Sequence, residues 1–93
     1  MNTALPDGWT IERVRLASGD DEAELLAPDR HVTVTWYGRS APEVLHPDVI
    51  LSFTGICLAH AAGEWFMGEL QPDGSLVCWS SYGTDLAEAI RGL

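Results

Sequence analysis

The stretch from Glu64 to Tyr82 constrains the fold more than any other part of the chain. Two apolar, alternating runs flank Gln71-Pro72-Asp73-Gly74. Proline presets the φ of the first corner and aspartate tolerates the second. Glycine takes the left-handed position that closes a three-residue hairpin loop with a bulge. Such a turn fixes the register. Leu70 then faces Leu76, Gly68 faces Cys78 and Phe66 faces Ser80. On the opposite side Glu69 meets Val77, Met67 meets Trp79 and Trp65 meets Ser81.

Both faces of this hairpin are largely apolar. One carries Phe66, Leu70, Leu76 and Cys78, and Gly68 and Ser80 leave room there for a close neighbour such as a C-terminal helix. The other carries Trp65, Met67, Val77 and Trp79. An antiparallel sheet usually keeps one face wet, so the second apolar face needs a cover. Either residues 40–62 supply it, making the face core, or the face is an exposed aromatic patch that binds a partner. Tryptophan and methionine are enriched at interface centres, and the chain has four tryptophans in 93 residues.

The remaining elements follow from local pattern. Residues 1–8 read as a loose lead-in ending at Pro6-Asp7-Gly8. Trp9 to Leu16 alternates as a strand with mixed faces, near an edge. Residues 22–27 form a weaker strand. Residues 31–37 form the cleanest one, with Val32, Val34 and Trp36 on one face and Thr33, Thr35 and Tyr37 on the other. These three are expected to make an antiparallel meander. Ser40 and Pro42 mark the start of a single helical turn. Length favours a helix over residues 49–62, capped by Asp48 and ended by Gly63, although Val49, Leu51 and Phe53 alternate as in a strand. Thr84 or Asp85 caps a C-terminal helix from Leu86 to Arg91, whose stripe is Leu86, Ala89, Ile90 and Leu93. The fold expected is α+β: an antiparallel sheet of about five strands, meander plus hairpin, with one or two helices on one face.

A chain of 93 residues makes one small domain, too short for a Rossmann fold. Its 46% hydrophobic content excludes a disordered acidic tail. Two cysteines are too few for a disulfide scaffold, so Cys57 and Cys78 are expected reduced, as small hydrophobes. All five basic residues are arginines, the usage of a GC-rich coding genome, as in bacteria. Fourteen acidic residues give a net charge of −9. That balance opposes direct nucleic-acid binding through phosphates and binding to an anionic membrane. A partner is therefore expected to be a basic or neutral protein. No signal peptide is visible, and the longest apolar run, 49–62, is broken by Ser52, Thr54, Gly55 and His60. A cytoplasmic location is expected.

No catalytic residue, metal site or cofactor is assigned. His31, His46 and His60 have no zinc spacing, and Asp20-Asp21-Glu22 with Glu24 lacks the glycine of a calcium loop. Arg13 and Arg15, two apart on a strand, either join Arg30 or Arg39 in a small anion site or pair with surface carboxylates.

Two functional readings follow. The first is a protein-binding module of the immunity-protein, antitoxin or accessory-subunit kind, using Trp65, Met67, Trp79, Trp36 and Tyr82 with an acidic rim. The alternative is a small-ligand binder or small enzyme with a pocket between sheet and helix, lined by Cys57, His60 and Ser80, in which Cys57 and His60 face each other on a helix. A nucleic-acid mimic ranks below both, because the acids are scattered rather than aligned.

Overall fold

A computed structural model describes Leu5 and residues 8–27, 29–35 and 43–92. The elements are helix α1 (Ile11–Ser18), strands β1 (Glu24–Leu26), β2 (Val32–Val34), β3 (Glu43–Leu45), β4 (Val49–Phe53), β5 (Ile56–Ala61), β6 (Glu64–Leu70) and β7 (Leu76–Ser81), and helix α2 (Leu86–Arg91). The strands form one sheet in the order β1-β4-β5-β6-β7-β2-β3. All pairings are antiparallel except β2 with β7, which is parallel. The architecture is therefore mostly sheet, with seven strands in a mixed arrangement. It is not the five-stranded antiparallel α+β fold expected from local pattern.

The chain length between β1 and β2 shows why this sheet curls into a half-barrel. In a flat sheet those strands would lie five spacings of about 4.8 Å apart, about 24 Å. The six residue steps from Leu26 to Val32 reach at most about 22 Å fully extended. Curling brings the two strands within reach and turns one face inward. Leu26 packs there against the inner cluster that holds Val32. Arg30 fastens the connection, donating from Nε to the Ala27 carbonyl at 2.9 Å and from Nη1 to the Gly74 carbonyl at 2.8 Å.

Two separate cores result. The inner face buries Val32, Val34, Leu45, Ile50, Cys57, Ala59, Phe66, Leu76 and Cys78. The outer face of β4, β5 and β6 buries Val49, Leu51, Phe53, Leu58, Trp65 and Met67 under Val14 of α1 and Leu86, Ala89 and Ile90 of α2. Thus α2 covers the face of Trp65 and Met67, not the face of Phe66 and Cys78 where Gly68 and Ser80 left room.

Residues 49–62 are a hairpin rather than a helix. β4 is buried on both faces, so it opens on three consecutive apolar residues, Val49-Ile50-Leu51, and resembles a buried helix. Gly55, at φ 83°, makes the two-residue turn that joins Phe53 to Ile56. Ala62 and Gly63, at φ 53° and 79°, make the next one, with both central residues left-handed as hairpin twist favours. The left-handed glycine expected to end a helix closes a strand turn instead.

Residues 9–16, expected as a strand, reverse the other way: helix α1 covers Ile11–Ser18. The Thr10 hydroxyl accepts from Arg13 N–H at 3.1 Å, and left-handed Gly19 donates back to the Arg15 carbonyl. Trp9, the apparent start of a strand, lies under the Arg13 guanidinium at 4.3 Å. Arg13 and Arg15 then diverge: Arg13 donates to the Gly8 carbonyl and Arg15 to the Ala23 carbonyl. The three-stranded meander is lost with this helix, and because β1 and β2 lie on opposite sides of the β4–β7 block. Glu43 begins β3 instead of extending a helical turn; Ser40 and Pro42 lie outside the described residues.

Other elements match the local signals. Asp85 caps α2 over Leu86–Arg91 by accepting from Ala87 N–H at 3.2 Å. The hairpin turn has Gly74 at φ 91°, and Leu70, Glu69 and Gly68 pair with Leu76, Val77 and Cys78.

Candidate functional site

The hairpin register slips beyond Gly68. Met67 pairs with Ser80 and Phe66 with Ser81, so Trp79 is an extra residue inserted as a bulge. The expected pairs Met67–Trp79, Phe66–Ser80 and Trp65–Ser81 are each displaced by one, and Trp65 exchanges backbone hydrogen bonds with Tyr82 and Gly83. Gly68 permits this. A Cβ there would lie 2.5 Å from the Val77 carbonyl oxygen and 2.8 Å from Cys78 Sγ. Glycine inside an apolar strand was the available signal for a bulge.

The bulge separates the expected aromatic surface into two parts. Trp65 is fully buried and Met67 nearly so, both beneath α2. Trp79 and Tyr82 keep 45% and 36% of their surfaces exposed. Trp36 lies outside the described residues.

The helix-packed cluster contains no residue of β7, β2 or β3 among those described. On the outer face of these three strands, the pairing sets Glu69, Val77, Thr33 and Val44 side by side. Val44 is 51% exposed and Val77 half-buried. Trp79 follows two residues beyond Val77. Exposed Val44 and half-buried Val77 thus occupy the half of the outer face that no described helix covers, with exposed Glu69 at the margin, and exposed Trp79 stands at the bulge that follows along β7. Sequence reasoning missed Val44, because nothing local joins residue 44 to residue 77.

The residues expected to line a sheet–helix pocket do not converge. Cys57 and His60 are three apart on β5, which sends them to opposite faces. Cys57 joins the inner core, where burial pushes its thiol pKa up. His60 stands on the outer face with its ring 4.8 Å from that of Trp65, and its Nδ1 is 2.7 Å from Asp48 Oδ1. Ser80 sits opposite Met67. The layer between sheet and helices is filled by Leu58, Trp65 and Leu86, all essentially inaccessible. The Trp65 Nε1 donor has no partner among the described residues. A cavity of about 250 Å³ lies elsewhere, bordered by Ser52, Phe53, Ile56, Cys57 and Leu70.

The acidic segment does structural work at its first residue. Asp20 accepts from the N–H groups of Thr54 at 2.7 Å and Glu22 at 2.8 Å, clasping the β4–β5 turn. These bonds, that from Thr54 first, hold its carboxyl below the usual range. Among the described residues no three of His, Cys, Asp and Glu gather where a metal could bind, and no helix is long and apolar enough to cross a membrane.

The fold and this surface define a small curled-sheet domain whose outer face is covered by helices over one half and by no described helix over the other. Compared with known proteins, the chain matches no family model, no curated protein and no solved structure.

Proposed function

We propose that the chain is a protein-binding module of the cytoplasm that receives a basic or neutral partner on the outer face of β7, β2 and β3. The observation that carries the reading is exposed Val44 and half-buried Val77 on the half of the outer face that no described helix covers, with Trp79 45% exposed at the bulge that follows Val77 in β7. Bulges commonly re-aim a side chain toward a functional surface, and tryptophan is the residue most often dominant in binding. The chain's net charge of −9 selects the partner's sign: it attracts a basic surface and repels a second copy of itself.

The test is capture from a lysate of the native host at about 100 and 500 mM salt, then titration of the purified captured protein. Trp79→Ala and Val44→Asp are each expected to weaken binding by about tenfold or more, equivalent to about 1.4 kcal/mol, while leaving the fold intact. Unchanged affinity in both variants refutes this surface. Equal weakening by the exposed, distant Leu16→Asp would show that charge alone governs binding.

A further inference from the structure

On the inner face, Ser52, Cys57, Gly68, Cys78 and Val34 lie side by side in one cross-strand row. Cys57 and Cys78 therefore flank a glycine, two strand spacings or about 9.6 Å apart along the sheet. That exceeds the Cα separation of about 7 Å beyond which a disulfide cannot close. The residue between them, Gly68, carries no side chain of its own. Cys78 Sγ lies only 2.8 Å from where a Gly68 Cβ would be, so this sulfur sits over the glycine. Both thiols are free and buried, with residue exposures of 2% and 0%.

We propose that Cys57 and Cys78 together bind one soft monovalent metal ion, copper(I), as a two-coordinate dithiolate across Gly68. Two metal–sulfur bonds of about 2.3 Å place the sulfurs about 4.6 Å apart. Two side chains leaning toward each other from a concave face span the remaining distance; Cys57, now beside Ser52, turns about its Cα–Cβ bond to do so. Thiolates select copper(I), whereas zinc needs two further ligands, and among the described residues no third His, Cys, Asp or Glu gathers here. Phe66 and Leu76 belong to the same buried cluster and keep water out. The cavity bordered by Cys57 and half-exposed Leu70 gives an ion a path inward. Binding releases both thiol protons to solvent and changes no oxidation state.

The experiment is an anaerobic titration of the full chain with copper(I) held by bicinchoninate as a coloured competitor, joined to X-ray absorption of the loaded protein. One copper per chain with two sulfur donors is expected. Cys57→Ala and Cys78→Ala should each abolish transfer of copper from the competitor, because a single thiolate then remains. Full affinity in either folded variant overturns the proposal. So do oxygen or nitrogen donors, a stoichiometry above one, or failure to take copper from the competitor. Should a variant fail to fold, the sulfur count in the wild-type protein decides.

Discussion

Gly68→Ala tests the bulge that inserts Trp79. The added Cβ would lie 2.5 Å from the Val77 carbonyl oxygen, 2.8 Å from Cys78 Sγ and 2.9 Å from Cys78 Cα. Two of these atoms are backbone, so no rotamer change relieves the contact. Ordinary contact begins at 3.4 Å, and β7 must retreat from β6 by about 0.9 Å at its bulge. Both strands are held on their other sides by β5 and β2, which spreads the strain through the sheet. Overpacking a tight site costs about 1–3 kcal/mol, and a backbone contact belongs at the upper end. A domain of this size has about 5–14 kcal/mol in all. The expected loss of about 3 kcal/mol lowers Tm by about 12–24 °C. Gly55→Ala is the control: φ is 83°, but nothing lies within 4 Å of the new Cβ. It should cost only about 1–2 kcal/mol, from left-handed backbone. The assay is urea unfolding followed by tryptophan fluorescence, with thermal melts alongside. A loss for Gly68→Ala no larger than that for Gly55→Ala refutes the reasoning.

Further outcomes follow from other parts of the structure. Ala62 is the one described non-glycine residue at positive φ, so Ala62→Gly should raise stability by about 0.5–1 kcal/mol in the same melts, and Ala62→Asn should also stabilise. Trp65→Ala should cost about 3–5 kcal/mol as a core deletion, whereas Trp79→Ala should cost under about 1 kcal/mol; equal losses would contradict their different burial. Hydrogen bonds depress the folded-state pKa of Asp20, so its stabilising contribution is present above about pH 4 and disappears as pH falls through the lower, folded value. Asp20→Asn should therefore flatten the acid limb of a stability–pH profile, and an unchanged limb would rule the clasp out as its source. Burial, then the proximity of Cys57, pushes the Cys78 thiol up to about 12, so its alkylation at pH 8 should track global unfolding across a urea series; fast labelling of folded protein would show the inner face to be open.

The candidate surface was only partly legible before the structure. Trp65 and Trp79 look equivalent in an alternating hairpin. One inserted residue and one covering helix make the first core and leave the second exposed. Cys57 and His60, neighbours on a helix, became strangers once the segment proved to be a strand. The Thr10 and Ser18-Gly19 boundaries of α1 were present as capping signals, but alternation from Trp9 to Leu16 masked them.

The sequence by itself determined what rests on contacts within a few residues: the Gln71–Gly74 turn with its left-handed glycine, the register next to it, and α2 with its Asp85 cap. These depend on backbone sterics and local hydrogen bonds that neighbouring residues fully specify. Only the tertiary structure decided the parallel pairing of β2 with β7, the hairpin at residues 49–61, and which outer half the helices cover. A strand buried on both faces has no periodicity of its own. Its partners are chosen by which arrangement buries both faces, and that choice joins residues as distant as Val44 and Val77 through Thr33.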